Sequence, residues 1–316
     1  MPVRPIERLV PRSPVVGLCA YLAAAIAVGA LLAFPVYAAL QQVADPAFDS
    51  VLQRVAGLAL LLLLPFYLAS GRTATARARG VGRDAGSLRG LMTREAFGFG
   101  CSGRAFRRGL ARGFALGILV VSPLIAVFLL LGVRAPVEGA ASVPDIAAYA
   151  GYALVAALMI GLVEETYFRG ALLAPLGHLP AWLAVSLVSV VYAAVHFLGA
   201  PLPADDVGWA SGLASIARSE LPLDAFLALF AAGLFLGALR VRFGHIGISA
   251  GFHAGWVWLT KLNQAYTDIV PDSEWRFLEG SFGGTMGTLG LVWIGLLGIG
   301  WYAVASARRA RGRKRG

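Results

Sequence analysis

The stretch IAAYAGYALVAALMIGLV, residues 146–163, contains eighteen residues and no charged side chain. A helix that crosses the hydrocarbon core of a bilayer needs about 20 apolar residues. Glu164, Glu165 and Arg169 follow directly, and ionisable side chains at membrane depth are costly unless they pair or face water. The stretch therefore predicts a membrane helix that carries a candidate functional site. The alternative is that the helix ends at Gly161 and the charges lie in interfacial water.

The composition of the whole chain extends this prediction to a multi-pass membrane protein. Of the 316 residues, 58% are hydrophobic and 14% are charged, and the mean hydropathy is +0.74. A soluble domain has roughly 25% charged residues. We predict an all-α, polytopic membrane helical bundle of about eight transmembrane helices. The predicted spans are residues 15–40, 51–70, 110–133, 146–174, 180–199, 223–240, 244–261 and 284–306.

The charged residues between these spans and near their ends predict the orientation of the bundle. If the N-terminus is cytoplasmic, the inner segments carry 21 basic and three acidic residues, whereas the outer loops carry twelve acidic and five basic residues. Basic loops stay on the cytoplasmic side, so both termini are predicted to be cytoplasmic. The positive charges of the basic inner loop, residues 71–112, then either fix the membrane topology alone or also contact anionic lipids. No nucleic-acid-binding module accompanies the net charge of +10, so no nucleic acid partner is predicted.

The pattern of spans suggests three segments along the chain. We predict N-terminal helices with the basic loop in residues 1–145, core helices in residues 146–262, and an outer loop, a last helix and a basic tail in residues 263–316. Residues 200–222 and 262–283 show no clear regular structure, and the second segment either caps the core from outside or is a plain loop. The abundance of Ala, Arg and Gly is typical of a bacterial inner-membrane protein.

Three polar residues from separate predicted helices fall at intermediate depth in the bundle. The sequence PLGHLP, residues 175–180, predicts a turn that makes the fourth and fifth helices an antiparallel hairpin. At about 1.5 Å per residue, Glu164 lies roughly 16 Å from this turn and His196 roughly 24 Å along the returning helix. His253 lies roughly 16 Å beyond Arg242. A carboxylate and two imidazoles can therefore meet in one core.

The spacing within residues 164–169 assigns different roles to the two glutamates. Glu165 and Arg169 are four residues apart, so on an α-helix they stack on one face and can form an ion pair. Glu164 is rotated by about 100° and has no such local partner. An unpaired, partly desolvated carboxylate takes up a proton more readily, which suits a general base near neutral pH. We predict Glu164 as the base and Glu165 with Arg169 as the orienting pair.

The two histidines leave two kinds of chemistry open. His196, His253 and Glu164 can ligate Zn²⁺ together and leave one position for water. The same side chains can equally hold a water molecule and an oxyanion without a metal. The residues alone do not choose between a metal-dependent and a metal-free site.

These motifs resemble the CPBP family, the CAAX-protease and bacteriocin-processing intramembrane endopeptidases, also called the Abi family. The family pattern is Glu-Glu-x-x-x-Arg, then Phe-x-x-x-His, then His-x-x-x-Asn/Asp. Here EETYFR (164–169), YAAVH (192–196) and HAGWV (253–257) stand in that order, and the resemblance covers roughly residues 146–262. It implies proteolysis within the membrane, with the first glutamate activating water and the histidines positioning water or substrate. Some members cleave prenylated C-terminal peptides, and many bacterial members have no known substrate.

One position departs from the family pattern. Val257 stands where the family has Asn or Asp, and it offers no hydrogen bond. Loss of an oxyanion donor costs roughly 3–4 kcal/mol in enzymes where it has been measured. Trp256 and Thr260 recur on the same face of the predicted helix and are candidate substitutes. Tyr192, in place of the family's Phe, is a further candidate contact.

Three functions follow from these residues. The first is an intramembrane endopeptidase, metal- or glutamate-dependent, that cleaves a membrane-associated peptide or protein. The second is a non-catalytic scaffold or chaperone of the same type, which Val257 supports. The third is a proton-coupled transporter that relays protons through Glu164, Glu165 and His196, although the two halves show no internal repeat of the kind that transporters often carry. We expect the first function, without a prediction of whether the substrate is prenylated.

Overall fold

A computed structural model describes residues 13–79, 93–137, 139, 142–203, 207–281 and 285–313 of the chain. The predictions for the N-terminal arginines, for residues 80–92 of the basic inner loop, and for the side chains of residues 71–79 and of the basic tail lie outside the described residues. Within them, the chain is predominantly helical with almost no sheet, which confirms the predicted fold class of a polytopic helical membrane protein.

Nine α-helices occur in the described part of the chain, and each of the eight predicted spans overlaps one of them. They are α1 (Pro14–Leu40), α2 (Phe48–Arg79), α3 (Gly103–Leu130), α4 (Val143–Glu165), α5 (Ala181–Val195), α6 (Ser211–Ala217), α7 (Leu223–Phe243), α8 (Gly247–Tyr266) and α9 (Thr288–Arg313).

Five helices in the described residues are long and apolar enough to cross a membrane. They are Pro14–Leu40, Phe48–Ala69, Gly103–Leu130, Val143–Leu176 and Leu223–Phe243. Ala181–Val195 and Thr288–Gly300 are shorter apolar helices. A multi-pass membrane protein is therefore established, whereas the number of eight crossings and the cytoplasmic termini stay predictions.

The fourth span departs from the single helix predicted over residues 146–174. Its α-helix ends at Glu165, and a π-helical segment follows, Thr166–Leu172, and then a 3₁₀ turn, Ala174–Leu176. Such π-helical segments are rare and frequently occur at functional sites. The predicted pairing of Glu165 with Arg169 assumes α-helical spacing between them, and the α-helix ends at Glu165.

Regular structure also occurs in residues 200–222 and 262–283, the two segments in which the sequence shows no clear pattern. The helix α6 lies within residues 200–222. Strand β1 (Arg134–Pro136) pairs antiparallel with strand β2 (Thr267–Ile269), and a 3₁₀ turn spans Arg276–Leu278. These elements are too short to show a periodicity of their own.

The chain divides into two compact units. The first draws on residues up to Gly98, on Tyr167–Ala184 and on Ala194–Leu221. The second draws on Phe99–Thr166, Val185–Ala193 and residues from Pro222 onward.

In the first unit, α1 packs directly on α2. A Cβ atom added to Gly29 would lie 2.7 Å from the Cβ of Ala56, so the two backbones approach closely at this glycine. A cluster of buried apolar side chains, which includes Tyr37, Phe48 and Leu52, fills the neighbouring interface.

In the second unit, α8 lies between α3 and α4 with its backbone in contact with both. Glycines recur at every fourth residue of α3 (Gly109, Gly113, Gly117) and of α8 (Gly247, Gly251, Gly255). A Cβ atom added to Gly251 would lie 2.0 Å from the carbonyl oxygen of Leu110. On the α4 side, a Cβ atom added to Gly161 would lie 2.7 Å from the carbonyl oxygen of Ala250. Small residues permit this approach between membrane helices, and here they fix the position of α8.

A buried ion pair links two segments of the second unit, β1 and the 3₁₀ turn that ends at Leu278. The Arg134 guanidinium donates to the Glu279 carboxylate, and these residues are only 5% and 2% exposed. The same guanidinium donates to the hydroxyl and the carbonyl oxygen of Thr267, both at 2.7 Å. The segment that follows α8 is therefore held at the end of α3 by a buried polar network.

Candidate active site

The two consecutive glutamates at the end of α4 differ in their exposure. Glu165 is fully buried, whereas the side chain of Glu164 is 29% exposed. Neighbouring residues on an α-helix point about 100° apart, which accounts for the difference. One carboxylate therefore lies within the protein interior, and the other reaches partly accessible space.

His253 lies between the two carboxylates. Its Nδ1 atom is 3.3 Å from Oε1 of Glu165, and its Nε2 atom is 3.9 Å from Oε2 of Glu164. His253 follows Gly251 by two residues, so its side chain points away from the face of α8 that contacts α3. The glycine contacts on one side of α8 and Gly161 of α4 on the other thus hold the imidazole against the end of α4.

At 3.9 Å, the contact between Nε2 of His253 and Oε2 of Glu164 is too long for a direct hydrogen bond, because N–H···O contacts beyond about 3.5 Å are not hydrogen bonds. Oε2 of Glu164 is nevertheless buried, and no described residue forms a hydrogen bond with it. Buried polar atoms nearly always have a partner, from the protein or from water. This oxygen therefore lacks a hydrogen-bond donor among the described residues, and a water molecule would supply one.

Tyr192 of α5 packs against the same imidazole. The rings of Tyr192 and His253 meet edge to face, with centroids 6.2 Å apart and an angle of 84° between their planes. Tyr192 is itself buried. The predicted contact residue therefore lies beside His253 and restricts the rotation of its ring.

An apolar pocket opens beside His253 within the second unit. Its volume is about 290 Å³ when the open mouth is included. The residues that line it come from four helices and from the loop before α9. They are Tyr192, Ala232, Phe235, Leu236, Phe252, His253, Trp256, Met286 and Ile294. Most are ordinary core residues, so no signal in the sequence marks them as neighbours of the site.

The two predicted substitutes for the missing donor at Val257 both contact Thr285. The indole N–H of Trp256 donates to Oγ1 of Thr285 at 2.8 Å, and Oγ1 of Thr260 lies 2.8 Å from the same atom. Thr285 is fully buried. Trp256 borders the pocket, but its polar hydrogen is engaged away from His253, and a role of either residue toward an oxyanion stays a prediction.

Arg169 and His196 belong to the first unit. Arg169 lies in the π-helical segment, is 2% exposed and packs over the ring of Phe168. Its pairing with Glu165 stays a prediction.

His196 occupies the turn that follows α5. This turn is fixed at Gly199, whose φ angle of +90° suits glycine and whose N–H donates to Oγ of Ser219 at 2.8 Å. The next residue, Ala200, donates from its N–H to the carbonyl oxygen of Ser215. The helix α6 thus anchors the chain just after His196.

The donors in the described residues do not form a complete metal site. No group of three or more His, Cys, Asp or Glu side chains in these residues is arranged to hold a metal ion. Glu164 and Glu165 lie at opposite ring nitrogens of His253. In the second unit, a metal at Nε2 of His253 would therefore have this nitrogen and the Glu164 carboxylate as ligands, whereas a catalytic zinc takes three ligands from the protein. The predicted zinc ligation by Glu164, His196 and His253 stays a hypothesis.

The fold and the site define a multi-pass helical membrane protein with a buried glutamate–histidine site. Residues 146–259 match the family model described as Rce1-like, type II CAAX prenyl endopeptidase. The segment that carries the three motifs is therefore similar to this family, and the match confirms the resemblance to CPBP endopeptidases. No curated protein and no solved structure gave a significant match to the chain.

Proposed function

We propose that this protein is a glutamate-dependent intramembrane endopeptidase that hydrolyses a peptide bond of a membrane-associated substrate. One observation carries the proposal: Oε2 of Glu164 is buried without a hydrogen-bond partner in the described residues and lies 3.9 Å from Nε2 of His253. A water molecule about 2.8 Å from each atom would bridge them, with roughly 90° between the two contacts. The match to CAAX prenyl endopeptidases over the same residues supports a hydrolytic role for such a water.

The proposed reaction begins with this water. Its oxygen attacks the carbonyl carbon of the scissile peptide bond, while one of its protons passes to the carboxylate of Glu164. The tetrahedral intermediate then collapses, the carbon–nitrogen bond breaks, and the departing amide nitrogen takes up the proton from Glu164. The products are a new carboxyl terminus and a new amino terminus, and Glu164 is ionised again. General base catalysis of this kind contributes typically about 10²- to 10⁴-fold.

The pocket beside His253 is small where it is enclosed and suits a small apolar group of the substrate. Its lining is apolar apart from His253 and the hydroxyl of Tyr192, so a charged side chain would lose hydration there without a partner. We propose a membrane-bound peptide or protein as the substrate, with prenylated C-terminal peptides as the first candidates. Further parts of the proposal are anionic lipids at the basic cytoplasmic face, a location in a bacterial inner membrane, and His196 and Arg169 as further residues of the site.

The alternative of a non-catalytic scaffold has one observation in its favour. Val257 supplies no donor for an oxyanion, and the polar groups of Trp256 and Thr260 contact Thr285. A scaffold of this kind would bind a membrane partner without cleaving it. Its binding would not depend on the charge of Glu164.

The test is a cleavage assay with the full chain purified in mild detergent. Matched peptides, prenylated and unprenylated, are presented to the wild type, to Glu164→Gln and to the control Glu274→Gln, which alters an exposed outer carboxylate of the same unit. We expect cleavage by the wild type and the control, and a loss of at least about 100-fold in Glu164→Gln. Cleavage that survives in Glu164→Gln excludes Glu164 as the base, whereas binding without cleavage in all three proteins favours the scaffold.

The same preparations decide the question of the metal. Zinc is measured per chain by mass spectrometry in the wild type and in His253→Gln. We expect less than stoichiometric zinc and unchanged cleavage after treatment with a chelator. About one retained zinc per chain, lost together with His253, would make the protein a metalloprotease instead.

A further inference from the structure

The Nδ1 side of His253 faces a carboxylate in a fully buried position. Glu165 is 0% exposed and His253 is 8% exposed, and Nδ1 and Oε1 are 3.3 Å apart. An ionised carboxylate offers only acceptors, so a hydrogen bond at this contact requires that Nδ1 carries the hydrogen. In neutral histidine, the partner of one ring nitrogen decides which of the two is protonated.

We propose that Glu165 is a positioning residue that fixes His253 as the Nδ1–H tautomer. Nε2 then presents a lone pair toward Oε2 of Glu164 across the 3.9 Å gap. The catalytic consequence rests on the proposed function, but the tautomer itself does not. Glu165 acts on the reaction only through the imidazole, in the way that outer carboxylates orient histidines at metal sites.

This tautomer determines what the site can bind between Glu164 and His253. Two acceptors that face each other cannot bond directly, so the group between them must donate a hydrogen to each. A water molecule does this, and its oxygen lone pairs then point out of the gap. In this tautomer, Nε2 of His253 accepts a hydrogen bond from the water that Glu164 is proposed to activate.

The surrounding structure keeps the imidazole in this orientation. The backbone of α8 contacts α3 at Gly251 and α4 at Ala250, so the helix has no room to shift. The edge-to-face contact with Tyr192 limits rotation of the ring. A rotation by half a turn would replace Nδ1 by a ring carbon at Glu165 and leave a buried carboxylate oxygen without this donor, which is costly.

The protonation of the ring nitrogens can be measured directly by ¹⁵N NMR. The full chain contains only four histidines, so a preparation labelled with ¹⁵N-histidine gives a simple spectrum, and the His253 signals are those lost in His253→Gln. At neutral pH we expect a protonated Nδ1 and an unprotonated Nε2. An unprotonated Nδ1, or an imidazolium with both nitrogens protonated, would overturn the proposal without any variant of Glu165.

The variant Glu165→Leu tests whether this carboxylate is the cause. We expect the His253 signals to lose the Nδ1–H pattern, whereas the control Glu274→Leu leaves them unchanged. In a cleavage assay, Glu165→Leu should lower kcat by about 10- to 100-fold with little change in KM. An unchanged His253 tautomer in Glu165→Leu refutes the role of Glu165. The Nδ1–H tautomer in a wild type that cleaves no peptide would refute the proposed function and leave this inference intact.

Discussion

Replacement of Gly251 by alanine is the sharpest test of how α8 is positioned. The added Cβ atom would lie 2.0 Å from the carbonyl oxygen of Leu110, whereas ordinary contacts begin at 3.4 Å. The atom on the other side is backbone, so no side-chain rotation relieves the clash. The helices α3 and α8 must separate by about 1.4 Å or the backbone must deform.

The expected cost has two parts. Overpacking of this kind reduces stability by about 1–3 kcal/mol. Because His253 lies two residues from Gly251, a shift of α8 also moves the imidazole relative to Glu164. A misplacement of about 1 Å can cost about 100-fold in rate, so we expect Gly251→Ala to lose activity well beyond its loss of stability.

The matched control is Gly151→Ala on α4, where an added Cβ atom meets nothing within 4 Å. Both variants are purified in the same detergent, and thermal unfolding and kcat are measured side by side. The control should retain the stability and activity of the wild type. If Gly251→Ala behaves like Gly151→Ala in both measurements, direct backbone contact does not set the position of α8.

Three further predictions concern other parts of the second unit. Arg134→Leu should lower the free energy of unfolding by about 3–5 kcal/mol, because it removes the cation that pairs with the buried Glu279 carboxylate. The double variant Arg134→Leu, Glu279→Leu should recover most of this loss. Ala232→Phe should fill the pocket and raise KM for apolar peptides at least about tenfold. Its thermal stability should fall by less than that of Arg134→Leu. An unchanged KM would show that the substrate does not enter the pocket. Burial and, secondly, the charge of Arg240 hold the pKa of His245 below its ordinary value of 6.5. The contribution of His245 to stability should therefore be complete above about pH 6.5 and decline as the pH falls toward the lowered pKa. If stability depends on pH with the same slope in the wild type and in His245→Gln between about pH 7 and pH 5, this assignment is wrong.

The positions of the helices were accessible from the sequence because an uncharged apolar run of about 18 residues or more is typical of a membrane-spanning helix. The stretch of residues 146–163 predicts α4, and the structure begins this helix at Val143, three residues earlier. The π-helical segment was not accessible, because Thr166–Leu172 contains no proline and no other local signal of a change in helical pitch. The ending of α4 at Glu165 depends on packing that a one-dimensional pattern does not record.

The sequence identified the residues of the candidate site, but it predicted only some of the contacts between them. The motifs identify Glu164, Glu165 and His253, and the structure brings these three together. The spacing of four residues predicts Arg169 as a partner of Glu165, and this pairing stays a prediction; local periodicity identifies only neighbours on the same helix. The contact of Glu165 with His253 joins residues 88 positions apart, and only the fold reveals it.

The substitutes proposed for Val257 show a second limit of helical periodicity. It places Trp256 and Thr260 on one face of α8, and both indeed contact the same atom of Thr285. That atom lies in the loop before α9, whose approach to α8 has no signature in the sequence. The periodicity therefore predicted the shared face and missed the group that this face contacts.

The central claim is that Glu164 activates water for hydrolysis of a peptide bond. The most direct measurement is cleavage of a membrane peptide in H₂¹⁸O by the wild type and Glu164→Gln, with mass analysis of both fragments. We predict one ¹⁸O atom in the new carboxyl terminus of the wild-type product and no product above background with Glu164→Gln. Cleavage by Glu164→Gln at the rate of the wild type would contradict the claim.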